Sequence, residues 1–307
     1  MKNRKIVSLL GTVATSVCVI LVSGNAANAG TLRNGWNYAT DSFTDSTDAR
    51  TLNPNRDGYR VGGTVFEIYG MAIKQDADNI YVALNANLPR GGARYPESNT
   101  AYFVTDDGNI GWGDLFFNFS GQNLSTASAN RSLFGIRFGV PSNSGVSTTG
   151  VYRNVKAKSV AVQNKGWETL NDYLTKVREN DGNPSAGDLN LSADESYFSQ
   201  DNLTSIDTGD KIGDITVLNS GELSRLGLDF GTSGSQTFGF KFAKSLLPTE
   251  EFIASLVTEC FNDSIALRGT IESQPVPEPS GILGITALGL LFATSQLHKR
   301  CKNSSVK

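Results

Sequence analysis

Thr64-Val65-Phe66-Glu67-Ile68-Tyr69-Gly70-Met71-Ala72-Ile73, then Asp76-Ala77-Asp78-Asn79, then Ile80-Tyr81-Val82-Ala83-Leu84-Asn85-Ala86 is the stretch that decides the fold class. Both arms are rich in β-branched and aromatic residues and alternate loosely; the link between them is Asp- and Asn-rich. Branched and aromatic side chains fit a pleated, half-buried surface, and short Asp and Asn side chains bond their own backbone in turns. The stretch therefore predicts a strand, a turn and an answering strand.

The same pattern spreads outward in both directions. Ala101 to Thr105 leads into Asp106-Asp107-Gly108-Asn109, where Asp-Gly favours a tight primed turn, and Asp114 to Phe119 forms the return or the next strand. Leu133–Val140, Val151–Val162, Asp214–Leu218, Gln236–Phe242 and Ile265–Ile271 read as further strands. Helical spacing occurs twice. Trp167, Leu170, Leu174 and Val177 make one apolar face that Asp181-Gly182-Asn183-Pro184 ends. Pro248 opens a second, with Phe252, Ile253, Leu256 and Val257 on its apolar face and Glu250 and Glu251 near its start. Ser185 to Asp210 is polar and reads as a long surface excursion. The fold class expected is mainly β, a jelly-roll-like β-sandwich with two short helices outside its core.

Both ends of the chain depart from this pattern. Lys2, Arg4 and Lys5 precede an apolar run from Ile6 to Val22, and Ala27-Asn28-Ala29 offers small residues for cleavage. Residues 1–29 thus read as a secretory signal peptide, with the mature chain starting at Gly30. Residues 30–272 form the exported β-rich part, and 273–280 a Pro-rich stalk holding Val276-Pro277-Glu278-Pro279. Gly281 to Leu297 is a mostly apolar run without a charge, and residues 298–307 are a tail carrying Lys299, Arg300 and Lys302. Seventeen helical residues rise about 26 Å against a hydrocarbon core of about 30 Å, a gap that slight local thinning closes. The basic cluster stays on the cytoplasmic side and orients the span as a single transmembrane helix.

Pro-Glu-Pro, apolar span and basic end, in that order over Val276 to Lys302, resemble the PEP-CTERM sorting signal of bacterial surface proteins. The resemblance implies an exosortase as partner, an integral-membrane cysteine transpeptidase that cuts near the motif and releases or transfers the protein outward. The tail here continues through Asn303 to Lys307, longer and less basic than the usual ending. Three further stretches resemble a group of cyanobacterial exosortase-dependent surface proteins: Asn34-Gly35-Trp36-Asn37-Tyr38, Gly111 to Phe117, and Thr258-Glu259-Cys260-Phe261-Asn262-Asp263. Together these imply export across the inner membrane, a membrane-held stage through the C-terminal span, and a final place at the cell surface or outside the cell.

Charge and chemistry narrow the classes that remain. All 30 acidic residues lie in residues 30–280, while three of the 27 basic residues belong to the signal and four to the tail. The exported part then carries 20 basic residues and a formal net charge of −10, a surface that repels phosphate backbones, so no nucleic-acid partner is expected. Cys18 falls in the signal and Cys301 in the tail, leaving Cys260 alone and without an intramolecular disulfide. The one histidine, His298, is in the tail, which excludes a Ser-His-Asp triad or a His-based zinc site from the exported part.

Three chemistries stay open. Calcium is the one candidate cofactor: Asp106, Asp107, Asn109 and Asp114 crowd one hairpin, Asp207, Asp210 and Asp214 one loop, and Glu259, Asn262 and Asp263 a third place. The same residue types also serve turns, which is the blander account of each set. Extracellular polysaccharide is a second candidate partner, with Trp36, Tyr95 and Trp112 as flat rings for sugar faces, unless Trp112 fills the core. Glycoside hydrolysis needs only two carboxylates about 5–9 Å apart, a condition this many acidic residues always meet, so it carries no specificity and no enzyme is expected.

Overall fold

The computed structural model describes residues 31–48, 60–94, 108–189, 191, 195–198, 202–231 and 234–273. The stretches read as signal peptide, stalk from 274, membrane span and tail lie outside the described residues, as do Tyr95, Asp106 and Asp107.

The 64–86 stretch folds as expected. β5 (Ile68–Gln75) and β6 (Asn79–Ala86) pair antiparallel, Met71 opposite Leu84 and Ile73 opposite Val82. Asp76 makes the turn: its Oδ1 accepts the amides of Asp78 and Asn79 at 2.8 and 2.7 Å, and its Oδ2 accepts the Tyr81 hydroxyl at 2.7 Å. Partial burial opposes ionisation, but these donors outweigh it and hold the Asp76 carboxyl below the usual range.

Around the hairpin grows a six-stranded antiparallel sheet. Its order is β1 (Thr31–Arg33), β2 (Trp36–Thr40), β5, β6, β14 (Gln236–Ala243) and β13 (Thr216–Leu218). A second six-stranded sheet runs β12 (Ser205–Gly213), β11 (Gly150–Lys158), β10 (Leu133–Arg137), β9 (Leu115–Asn118), β15 (Glu251–Val257) and β16 (Ser264–Thr270). Two ribbons complete the strands, β3 (Thr47–Asp48) with β4 (Arg60–Val61) and β7 (Ala93–Arg94) with β8 (Asn109–Ile110). The protein is mainly β, and one apolar core draws on both large sheets, an arrangement consistent with a β-sandwich. Met71, Val82, Leu84 and Phe240 from the first sheet meet Leu115, Phe117, Ile136, Ala254, Leu256 and Leu267 from the second.

Each sheet is also covered on its outer face. Trp36, Tyr38, Ala72, Tyr81 and Ala83 pack under α4 (Ser220–Arg225) through Leu223. Phe116, Leu133, Val155 and Ile206 pack under α1 (Leu124–Ala129), α2 (Leu170–Glu179) and α3 (Glu195–Phe198), through Ala127, Leu174, Val177 and Phe198. Strands buried on both faces lose clean alternation, which is why the arms of β5 and β6 alternate only loosely.

That double burial overturns one expectation. Glu251 to Val257 is strand β15, not a helix, with every residue paired to β16 and its middle paired to β9. Phe252, Ala254 and Leu256 face the shared core while Val257 and Ile253 face the outer cluster. Two buried faces at alternate positions place apolar residues at 252, 253, 256 and 257, which is also helical spacing. The other expected helix forms as α2, started by Thr169, whose hydroxyl accepts the Asp172 amide at 3.1 Å. Trp167 precedes it, its Nε1 donating to Thr47 Oγ1 at 2.8 Å.

The 185–210 stretch is corrected too. Ala186, Leu189, Leu191, Tyr197 and Phe198 are buried against the second sheet, and from Ser205 the chain is β12. Among the described strands β12 pairs only with β11, and its charged side chains suit an edge strand. A polar composition concealed a few irregularly spaced anchors, a pattern with no period to detect.

Candidate metal centre

The carboxylates named from sequence do not gather into one site among the described residues. Asp114 is buried, and its Oδ2 accepts the Ile206 amide and the Ser144 hydroxyl, each at 2.7 Å. Burial pushes its pKa up to about 6 against the pull of those donors. Asn109 is buried in β8, opposite Arg94. Asp207, Asp210 and Asp214 engage Lys156, Asn154 and Lys211 at 4.0, 2.7 and 2.8 Å respectively. Glu259 is buried and accepts the amides of Gly111 and Asn143, holding the loop after Pro141.

The aromatic candidates are corrected by burial. Trp36 is 0% and Trp112 1% exposed, so neither ring offers a face to a sugar. Trp36 Nε1 donates to Leu226 O and Trp112 Nε1 to Pro89 O, so both indoles are tied at their polar edge. Trp112 packs against Phe138 and Phe238 in the shared core. A cleft at the open end of the two sheets, lined by Leu32, Ile73, Phe117, Phe252 and Ile271 among others, carries no carboxylate.

A different acidic group does converge. Asp41 follows β2, and Asp45 lies four residues on in the loop to β3. Glu67 immediately precedes β5, and Asp263 sits in the turn between β15 and β16. Carboxylate oxygens of Asp41, Asp45 and Asp263 all lie within 4.8 Å of one another, and all three residues are buried. Glu67 is also buried, and its charge adds to what raises the pKa of Asp41, Asp45 and Asp263.

The backbone brings them together through contacts few residues could make. The chain past α2 doubles back against this loop at Gly182, where a Cβ would stand 2.4 Å from Thr44 O. Gly187 has φ +58°, and a Cβ there would meet Ala266 O at 2.5 Å. Ser185 and Gly187 are thereby delivered to the carboxylates. Asp41 Oδ1 accepts from Ser185 Oγ and from the Gly187 amide at 3.2 Å, and Asp45 Oδ2 accepts the Ser185 amide at 2.7 Å. Asp263 accepts the Ile68 and Ser264 amides, both at 2.7 Å, and Glu67 Oε2 accepts from Ser46 Oγ and the Gly63 amide.

These donors leave several oxygens of the group unmet. Asp41 Oδ2, Asp45 Oδ1 and Glu67 Oε1 are buried with no hydrogen-bond partner. Tyr173 Oη, on the fully buried Tyr173 of α2, is likewise buried and unpartnered. The four carboxylates are the charges that act on that hydroxyl. No described ion pair reaches any of the four carboxylates; the exposed Arg60 exerts only a weak pull on Glu67.

Electrostatics follow from burial without a counter-charge. Loss of solvation raises Asp41 to about 7, Ser185 and neighbouring amides working against it. Desolvation and then the Asp41 charge lift Asp45 to about 10. Glu67 is raised and Asp263 well raised for the same first reason, and Tyr173 is driven well above the ordinary phenol range.

Asp263 was the one member of this group within reach of sequence reasoning. Asp41 and Asp45 lie in a stretch to which no element or site is assigned from sequence, and Glu67 falls inside the expected first strand. The Asp41-x-x-x-Asp45 spacing was the available signal, and it is common in turns. No protein-family model, curated protein or solved structure matches the chain.

Proposed function

We propose that this chain is an exported surface or extracellular-matrix protein, sorted and processed by an exosortase through its C-terminal signal. The observation that carries the reading is the order Val276-Pro277-Glu278-Pro279, an uncharged apolar run from Gly281 to Leu297, and the basic Lys299, Arg300 and Lys302. A β-rich unit whose last strand ends at Thr270, three residues before the Pro-rich stalk, supports it, because signal and folded part then occupy separate stretches. The acidic balance of the exported part suits a solvated exterior. The polysaccharide-binding alternative loses Trp36 and Trp112 as stacking surfaces, since both fill the interior.

The test is replacement of Pro277, Glu278 and Pro279 by alanine in an exosortase-bearing host. The apolar run and basic stop persist, so insertion and orientation survive. The extended feature is lost, because alanine lets the helix continue outward where proline forbids it. The variant should accumulate in the membrane fraction at its uncut mass while the parent is shortened or moved outward. Equal membrane retention of both, each with Lys307 intact, would leave a plain anchor instead.

A further inference from the structure

We propose that Asp41, Asp45 and Asp263, flanked by Glu67 and Tyr173, form a calcium site that ties the two sheets together at one end of the domain. This rests on the described geometry and stands whether or not the sorting reading holds.

The donor set selects the ion. Every side chain offered is an oxygen donor; no histidine or cysteine belongs to the group. Hard oxygen ligands suit calcium, magnesium or manganese and not zinc or copper. Oxygens on opposite sides of a calcium ion lie about 4.6–5.2 Å apart, given Ca–O distances of about 2.3–2.6 Å. The three carboxylates, within 4.8 Å of one another, fit inside that sphere. Magnesium, at about 2.0–2.1 Å, demands a near-ideal octahedron and keeps much of its water, which a buried carboxylate cage does not favour.

The acidic group alone would not point to an ion, because buried carboxylates also serve as hydrogen-bond acceptors. What points to one is that the group holds buried oxygens that no protein donor reaches. Asp41 Oδ2, Asp45 Oδ1 and Glu67 Oε1 have protein donors on their sister oxygens and none of their own. Tyr173, on the separate element α2, feels the charges of all four carboxylates, and its buried hydroxyl is also unpartnered. Buried polar atoms are nearly always satisfied, so the orphaned oxygens of Asp41 and Asp45, whose carboxylates converge with that of Asp263, need a partner. A cation supplies that partner and the missing counter-charge together.

The position gives the ion its role. Asp41 and Glu67 border β2 and β5 of the first sheet, Asp263 borders β15 and β16 of the second, and Tyr173 comes from the covering helix. A divalent ion here links segments 222 residues apart in sequence, from Asp41 to Asp263. Extracellular modules that bind calcium weakly, at about 10⁻⁴–10⁻³ M, exploit this kind of link, and the expected affinity is in that range or tighter.

The experiment titrates calcium chloride into chelator-stripped full-length chain in detergent, by calorimetry and by thermal unfolding. One site per chain and a midpoint raised by about 3–5 °C near 10 mM calcium are expected. Asp45→Asn should lower the affinity at least about tenfold, while Asp207→Asn with Asp214→Asn should leave it unchanged. Tyr173→Phe removes only the hydroxyl and keeps the packed ring, so it is the variant to use if Asp45→Asn does not fold; a fewfold weaker site is expected. Terbium, which takes calcium sites, should show tyrosine-sensitised emission that calcium displaces and Tyr173→Phe diminishes. The proposal is overturned if the parent chain neither binds nor shifts up to about 10 mM calcium. It is equally overturned if magnesium matches calcium, or if Tyr173→Phe and Asp45→Asn both keep the parental affinity.

Discussion

Asp114 and the Asp41, Asp45, Asp263 and Glu67 group are carboxylates buried to the same extent, and they have opposite surroundings. Asp114 stands alone, with two donors on one oxygen, and anchors the strand start at Ile206 to the loop at Ser144. The group brings four acids together, and each of Asp41, Asp45 and Glu67 retains an oxygen with nothing to accept. Burial therefore does not decide the role of an acid; the charges beside it do, Arg137 and Lys158 drawing on Asp114 while the four grouped acids act against one another. A single carboxylate with cationic side chains nearby becomes a structural acceptor, whereas several carboxylates crowded together without an ion pair leave room for a cation.

The largest effect that would break this contrast concerns Asp114. Asp114→Ala should lower the unfolding free energy by about 2–3 kcal/mol, because it leaves the buried Ile206 amide and the half-buried Ser144 hydroxyl without their acceptor. Urea unfolding should return the same loss in calcium and in chelator. A loss that appears only in calcium would place Asp114 in the metal centre and dissolve the distinction between the two regions.

A smaller effect sharpens the contrast through pH. The folded pKa of Asp114 is raised to about 6, above the ordinary carboxylate value of about 3.9 in an unfolded chain. The folded state therefore holds a proton that the unfolded state releases between those values. Its contribution to stability is fully present below about pH 4 and is lost as pH rises through 6. Asp114→Asn keeps an oxygen acceptor but cannot titrate, so the decline of stability between pH 4 and 6 should be shallower than in the parent. Parallel profiles, measured with chelator present, would show that Asp114 does not titrate there.

The smallest effect is at the edge strand. Lys211 and Asp214 make a 2.8 Å pair with the Asp214 side chain 86% exposed. Water and salt screen such pairs, so Lys211→Ala should change neither the urea midpoint nor the calcium affinity outside experimental error. A measurable drop in calcium affinity would mean that the exposed acids of β12 also serve the ion.

How far the sequence could be read follows from the range of the interactions. The β5–β6 hairpin was legible because Asp76 and its two acceptor contacts sit within three residues of each other. Helix α2 was legible because Leu170, Leu174 and Val177 share one face and Pro184 stops the chain soon after. β15 was not, because burial on both sides erased the alternation that marks a strand. The metal centre was not, because its acids stand at 41, 45, 67 and 263, and no local rule connects them.

What the sequence by itself determined is local: the β-rich class, the turn at Asp76, the helix after Thr169, and the lack of histidine and of a second cysteine in residues 30–280. These depend on side-chain period and backbone preference over a few residues. The tertiary structure alone decided which tryptophans are core, which acids are anchors and which acids face one another. Those outcomes depend on antiparallel pairing of β2 with β5 and β15 with β16, and on packing of one sheet on the other. Burial strips water from a carboxylate wherever it lies in the chain, and only the folded neighbours determine whether amides, a hydroxyl or an ion takes the place of that water.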